Sequence, residues 1–365
     1  MAGPSYDVSL VTSGHDVADA RLHRLVAALH DAGLTVEVIG LGDPASAPPY
    51  ADAVSARPRR GAAGRLLDAT VGPWRAHGRV IVVVDPDSVP SAWLHRLTGR
   101  RLVVDVHEDY AALLADRRWA TGVVGGIARA GTGLASSLAR RADLTVVADA
   151  HVPPGEAKQR LVLRNLPYGD YLPAPSEPDA EPRALHVGDL RRSRGLFDMV
   201  EAVAAAPGWT VDLVGPVSAA DSADLDHRLT GSDVAGRVRL HGRRPPAQAW
   251  ELARGAWAGL SMLHSTPAFR DALPTKVYEY LACGLAVVAT PLPRQAELVT
   301  EAGAGVVVAD PAEAAAALTV YADDRALLDA HRSAARTWST GGDGLLGARD
   351  AYTDFAARVA RLARA

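Results

Sequence analysis

Leu273-Pro274-Thr275-Lys276-Val277-Tyr278-Glu279-Tyr280-Leu281-Ala282-Cys283-Gly284-Leu285-Ala286-Val287-Val288 reads as a loop, a short helix, a glycine stop and a buried strand. The run from Leu285 to Ala289 is continuously apolar, which suits a parallel sheet covered on both faces rather than a one-sided antiparallel sheet. Pro274 or Thr275 can begin the helix, leaving its first amides pointing outward at the carboxyl edge of the sheet, where anions bind. Lys276 adds a full charge there. Glu279 stands one turn on, at i+3, so both side chains can address one ligand carrying a phosphate and a sugar hydroxyl. The competing reading is an exposed ion pair, worth about a few tenths of a kcal/mol.

Outward from this phrase the same alternation of strand and helix fills the chain. Upstream strand candidates in the second half are Ala184 to Val187, Thr210 to Val214, Val238 to His241 and Ala258 to Leu263; Gly305 to Val308 lies downstream. In the first half they are Tyr6 to Thr12, Leu34 to Leu41, Val80 to Val84, Arg101 to Val106 and Leu144 to Ala148, with an amphipathic helix over Ala18 to Ala32. Prolines crowd the stretch from Pro167 to Pro182, which has no apolar period and reads as an interdomain linker. Helical text runs from Ala312 onward, breaks at Gly341-Gly342-Asp343-Gly344, and resumes from about Leu345 to Ala365. The expected fold is α/β: two Rossmann-like, doubly wound domains over 1–167 and 168–344.

Composition agrees with two soluble domains. The chain has 365 residues, and domains commonly span about 150. Its most apolar glycine-rich stretch, Thr121 to Ala139, is broken by Arg129, so no integral membrane segment is expected. The start of the chain lacks a basic region followed by an apolar core, giving a cytoplasmic expectation. Cys283 is the single cysteine, which excludes an internal disulfide and a cysteine-cluster zinc site. With a net charge of −3, no general attraction to nucleic acid is expected and any anion site must be local. Of the 39 basic residues only Lys158 and Lys276 are lysines.

Several chemistries fall away on spacing. Neither lysine precedes Ser or Thr, so no Walker-type loop exists. Ala111 stands where a zinc-protease helix opening at His107-Glu108 needs its second histidine. Gly259-Leu260-Ser261-Met262-Leu263 lacks the closing glycine of a nucleophile elbow. Asp85-Pro86-Asp87 reads as turn and cap residues ahead of a paired-carboxylate metal site, so no metal is expected.

Taken together, the 273–288 phrase, Val187-Gly188-Asp189-Leu190-Arg191-Arg192-Ser193-Arg194-Gly195-Leu196, Val82 to Asp87, Val104 to Tyr110 and Asn165-Leu166-Pro167 resemble the motifs of GT-B glycosyltransferases of the large retaining family 4. In order and spacing the resemblance runs from Asp19-Ala20-Arg21 to a last helix that in this family crosses back to the first domain. It implies a nucleotide-sugar donor (UDP, GDP or dTDP type) on the second domain, a small-molecule or glycan hydroxyl acceptor on the first, chemistry in the cleft between, and no resident cofactor. The family's acidic pair has E-x7-E spacing, which falls here on Asp271 and Glu279. By resemblance Asp271 approaches the donor sugar, Glu279 holds the ribose, and His107 stands against the transferred sugar. Of two basic residues that hold the diphosphate, Asp189 replaces the first and Arg194 occupies the second; Arg191, Arg192 or Lys276 could supply the missing charge.

The catalytic set expected on these grounds is His107, Asp271, Arg194 and Lys276. Gly188, Arg192, Arg194, Lys276, Glu279 and Asp271 are expected at the donor, and Gly14, His15, Asp16 and Glu108 at the acceptor. Asp16 is read first as the cap of the following helix. Two departures stand out: Asp271 is shorter than the family's glutamate, and Val84 replaces a histidine before Asp85-Pro86. The rival readings are a sugar-nucleotide epimerase, which consumes donor without acceptor, and a noncatalytic sugar-binding protein. The stretch Trp119 to Arg141, ending in Arg140-Arg141, reads as a cleft-wall helix ahead of a peripheral membrane contact.

Overall fold

The computed structural model describes residues 5–110, 114, 122–267, 269–270, 274–341 and 346–365. Two compact units form, Met1–Gly169 with Ala348–Ala365, and Asp170–Gly347.

The first unit is a seven-stranded, all-parallel sheet in the order β3-β2-β1-β4-β5-β6-β7. Its strands are β1 (Tyr6–Asp16), β2 (Val36–Leu41), β3 (Ala53–Arg57), β4 (Gly78–Val83), β5 (Arg101–Val106), β6 (Leu144–Val147) and β7 (Arg160–Val162). Helices α1 (Ala20–Asp31), α2 (Ala62–Val71), α3 (Val89–Leu94) and α4 (Gly122–Ala139) connect them. The central strands are apolar and buried because both faces are covered. Leu22, Leu25 and Leu29 of α1 pack on one face beside Val8, Val80 and Val82. Val11, Ile81, Val83 and Val104 face the other side with Ala92, Ala135 and Ala139.

The second unit has six parallel strands in the order β10-β9-β8-β11-β12-β13. They are β8 (Arg183–Val187), β9 (Thr210–Val214), β10 (Val238–Leu240), β11 (Ala258–Ser261), β12 (Ala286–Ala289) and β13 (Gly305–Val307). Its helices are α5 (Leu196–Ala205), α6 (Ser222–Arg228), α7 (Pro246–Trp250), α8 (Thr275–Ala282), α9 (Pro293–Ala302), α10 (Pro311–Asp323) and α11 (Arg325–Thr340). The last helix, α12 (Leu346–Arg364), joins the first unit's core through Tyr352, Phe355 and Val359.

Two strands were absent from the sequence reading, β3 and β7. Both are sheet edges, and neither carries the continuous apolar run that marks a covered strand. The proline-rich stretch is also a correction: from Asp170 on it belongs to the second unit and is pinned there. Tyr171 and Leu172 pack on that unit's core, and Arg332 of α11 donates to the carbonyls of Ser176 and Ala256, each at 2.6 Å. Prolines remove the periodicity that would announce a packed segment, but the carbonyls remain as acceptors.

In each sheet the strand order reverses once, between β1 and β4 and between β8 and β11. Such switch points open a crevice at the carboxyl ends of the strands. The helix bordering the second one, α8, is seated by Tyr280, whose ring lies on Gly259 of β11 while its hydroxyl donates to Leu260 O at 3.1 Å. A Cβ on Gly259 would stand 2.2 Å from that ring. Gly259→Ala is therefore expected to lower stability by about 1–3 kcal/mol through overpacking, read as an earlier urea midpoint; an unchanged midpoint would mean that α8 can ride outward at no cost.

Candidate functional site

At the first switch point, β1 ends in Thr12-Ser13-Gly14-His15-Asp16 and β4 leads into Asp85. The Asp85 side chain is buried, and charge without water must be satisfied by neighbours. Its Oδ2 accepts from Thr12 Oγ1 at 2.5 Å, Ser13 N at 2.9 Å and Gly14 N at 3.1 Å. Its Oδ1 lies 3.0 Å from His15 Nδ1 and 3.5 Å from Arg65. These donors hold the carboxyl well below the usual aspartate range despite burial, which acts the other way. Asp85 is thus the hub of the loop, a role beyond the turn or metal-ligand readings of Asp85-Pro86-Asp87.

Gly14 has a structural task of its own. Its amide is committed to Asp85, and a Cβ there would sit 2.8 Å from Asp85 Oδ1 and 2.9 Å from the Arg65 guanidinium. This close approach to Asp85 favours glycine at the position. Asp16 does not cap α1. Asp19 does so, accepting from Arg21 N at 2.8 Å, while Asp16 closes a local turn onto Ala18 N at 3.1 Å.

His107 follows β5 at the same edge. Its Nε2 lies 3.1 Å from His15 Nε2, the rings meeting edge-on at 4.7 Å and 76°. Glu108 beside it is exposed. Asp105, counted with them in the sequence, points inward: its carboxylate takes a bidentate bond from buried Arg21, at 2.5 and 2.6 Å. Arg21 also donates to Asn165 Oδ1 at 2.5 Å, so the Asn165 phrase serves to fix this arginine.

The second switch point gathers a different charge. The β8 strand ends at Val187, and Gly188 follows with φ +142°. Lys276 and Glu279, from the first turns of α8, are buried with 6% and 5% exposure. The exposed ion pair is thereby excluded. A Cβ on Gly188 would stand 3.3 Å from Lys276 Nζ, so the lysine, the glycine turn and the helix start form one cluster. Glu279 Oε1 accepts from Tyr171 at 2.6 Å, a contact with no sequence signal because Tyr171 lies in the proline-rich stretch. His186, one residue ahead of the quoted glycine motif, is wholly buried; its Nδ1 lies 3.0 Å from Leu260 O and its Nε2 3.3 Å from Lys276 Nζ. Leu260 O only accepts, so His186 carries its proton on Nδ1 and turns a lone pair to the lysine. Burial and the Lys276 charge push His186 well below its ordinary value.

The basic loop divides. Arg194 is close enough that its charge depresses Lys276, and its guanidinium lies 5.4 Å from the Phe269 ring centre. Arg192 is drawn elsewhere: it pairs with Asp224 at 2.9 Å and covers Phe197 at 4.2 Å, so the structure does not bring it to Lys276. Arg191 is engaged by Asp189 at 2.7 Å, the residue that stands in place of a base. Asp271 lies outside the described residues. Among the described residues no group of three His, Cys, Asp or Glu is arranged to hold a metal, and no helix is long and apolar enough to cross a membrane.

Residues 171–338 match the family described as Glycosyl transferases group 1. No curated protein matches the chain. Sucrose-phosphate synthase from Thermosynechococcus elongatus is similar in structure with a TM-score of 0.68 at 16% identity, over 98% of this chain and 97% of that one. Anabaena HepE in complex with UDP-glucose gives 0.69 at 18% identity over 96% and 98%. WaaG, a glycosyltransferase involved in lipopolysaccharide biosynthesis, gives 0.66 at 15% over 95% and 99%. At these identities the likeness establishes the fold, GT-B with its two Rossmann-like units.

Lys276 carries a pH signature. Burial first, then the Arg194 charge, lowers it from 10.5 to about 7, with Glu279 and Asp189 opposing. Folding therefore carries a penalty that is full below about pH 7 and fades as pH rises toward 10.5, where the unfolded chain also loses the proton. Across that window the urea midpoint of the unmodified protein should climb relative to Lys276→Met. Parallel curves would mean that the ammonium is hydrated after all.

Proposed function

We propose that this chain, a glycosyltransferase whose residues 171–338 belong to the glycosyl transferases group 1 family, binds a nucleoside-diphosphate sugar at the β8/β11 switch point and transfers the sugar with retention to a hydroxyl acceptor taken by the first unit. The observation that carries this reading is the buried Lys276 beside Gly188 and Arg194 at a helix N-terminus. A desolvated ammonium near a guanidinium is unfavourable alone. A diphosphate supplies the opposite charge, and the glycine turn lets it approach the backbone. The glycine also admits Lys276 itself, whose Nζ fills the space a side chain would take.

Glu279, steadied by Tyr171, is an acceptor suited to ribose hydroxyls. Arg194, Lys276 and the start of α8 stabilise the negative charge that grows on the leaving diphosphate, needing no reorganisation at the moment of reaction. His107 is offered to the transferred sugar, with His15 and Glu108 framing the acceptor edge. Asp271 is assigned sugar recognition by resemblance. The base is read as uracil because similar structures hold UDP and UDP-glucose.

A thermal-shift comparison of UDP, GDP, ADP and dTDP tests the donor site. A ligand at 100 times its Kd stabilises by about 2.7 kcal/mol, and UDP is expected to raise the Tm of the unmodified protein but not of Glu279→Ala. No shift with any of the four would remove the Lys276 and Glu279 assignment. With charge met by side chains and helix, sugar transfer should persist in EDTA; abolished turnover, restored by a divalent cation, would move that role to a metal. The product's anomeric configuration, read by NMR, should match the donor's, and inversion would defeat retention.

A further inference from the structure

We propose that His186 is a positioning residue for the donor: from inside the core its Nε2 lone pair holds Lys276 Nζ against the Gly188 turn, so that the ammonium stands in place before a phosphate arrives. The identity of the anion rests on the donor-site reading above, whereas the placement of the lysine does not.

Strand pairing sets the imidazole. β8 pairs with β11 at Ala184 with Ala258 and at Leu185 with Gly259, and at the next residue His186 meets Leu260 through its ring, with Nδ1 3.0 Å from the carbonyl oxygen. A carbonyl has no proton to give, so Nδ1 carries one. The opposite tautomer would set two lone pairs against each other at that distance. A second proton on the ring would put a wholly buried imidazolium beside the ammonium. Leu260 O takes another donor as well, the Tyr280 hydroxyl at 3.1 Å. Tyr280 stands one turn beyond Lys276 on α8, so one carbonyl both seats the helix and orients the ring that receives its lysine.

The lysine has little else to bond. Its Nζ lies 3.3 Å from His186 Nε2, and among the described residues no other hydrogen-bond partner and no salt-bridged carboxylate meets it. A four-carbon stem offers Nζ many rotamers, and this bond selects one. It uses one of the three N–H groups and leaves two for an incoming oxygen. The open side of Gly188 faces both partners: a Cβ there would stand 3.3 Å from Nζ and 3.7 Å from His186 Nε2. A ligand that approaches over the glycine turn therefore meets a lysine already placed. The neutrality of the holder matters too. A carboxylate in the position of the imidazole would cancel the ammonium and repel a phosphate, whereas an imidazole fixes the nitrogen and leaves its charge unspent.

The full chain labelled with 15N-histidine tests the tautomer without any ligand. At pH 6.5, the ordinary histidine value, His186 is expected to carry one proton, on Nδ1. A proton on Nε2, alone or as a second one, would overturn the proposal. Calorimetry with UDP at the same pH, below the value of about 7 to which Lys276 is lowered, separates positioning from packing. In His186→Asn the amide nitrogen takes the place of Nδ1 and keeps the bond to Leu260 O, but nothing reaches Lys276. In His186→Gln the amide oxygen takes the place of Nε2 and still accepts from the lysine. The Kd for UDP should rise about 10-fold or more in His186→Asn and stay within about 3-fold in His186→Gln, as loss or retention of a bond to a charged group implies. A residue needed only for packing gives the reverse order or no difference, and either outcome refutes the positioning role. In a Lys276→Met background His186→Asn should cost UDP binding nothing further, and additive losses would show that it does not act through the lysine. If His186→Asn shows no cooperative thermal transition, His186→Leu, which has apolar bulk and no acceptor, replaces it with the same expectation. Absence of UDP binding from the unmodified protein would count against the donor-site reading and leave the tautomer result standing.

Discussion

A parallel sheet covered on both faces leaves polar side chains only its ends. That constraint organises both units. The central strands β4, β11 and β12 are apolar and buried through most of their length, and β1 and β8 are buried through their middle residues, so functional groups emerge where the chain leaves the carboxyl edge. Asp85, His15 and His107 stand at one such edge, Gly188 and Lys276 at the other. Where a polar group does sit inside, it is matched: Asp105 with Arg21, Asp212 with Arg183, and His186 with Leu260 O. Breaking one partner of the Arg21–Asp105 pair would strand a buried charge, which costs about 3–5 kcal/mol.

The two edges are electrostatic opposites. The first is organised around a buried negative charge that is already satisfied by hydroxyl, amides, imidazole and guanidinium. The stability that the Asp85–His15 pair contributes is present above the unfolded aspartate value near 3.8 and below the unfolded histidine value near 6.5, and it is lost as pH rises through about 9. The second edge is organised around positive charge, with no carboxylate among the described residues in salt-bridge contact at Lys276; burial first, then the Arg194 charge, loosens the lysine proton. One edge holds a carboxylate already matched by its neighbours and the other a buried ammonium, which suits the anion of the proposed donor.

Most of this plan was legible in the chain. The 273–288 phrase announced its helix, its glycine stop and its strand, and α8 ends as read: Leu285 N reaches back to Tyr280 O at 3.0 Å while Gly284 takes φ +68°. Strand alternation found the covered strands because continuous burial leaves a continuous apolar run. It missed β3 and β7 because edge strands have no such run. Site residues were harder, since sequence spacing reports which groups share an element but not which way a side chain turns. Asp105 and His107 are two residues apart, yet one is locked to Arg21 and the other reaches His15. Arg192 and Arg194 likewise differ by two positions, and acidic neighbours on another helix draw only the first away. Tyr171 and His186 come to α8 from 108 and 90 residues away, a distance that no local motif spans.

The scarcity of lysine now acquires a physical reading. Arginine serves almost everywhere in this chain that a cation is needed, including the buried sites Arg21 and Arg332. Both of those make several directed bonds to fixed acceptors, the use for which a planar guanidinium is suited. At position 276 the requirement is different. Lys276 Nζ lies 3.3 Å from where a Cβ on Gly188 would stand, and the facing group is one imidazole lone pair, not a carboxylate fork. A guanidinium keeps its proton whatever its surroundings. A lysine fits as a compact point charge and, when no anion is present, can relieve its own desolvation by giving up a proton near neutral pH. Of the chain's two lysines, this one is thus placed where the proposed diphosphate would supply the charge that its burial lacks.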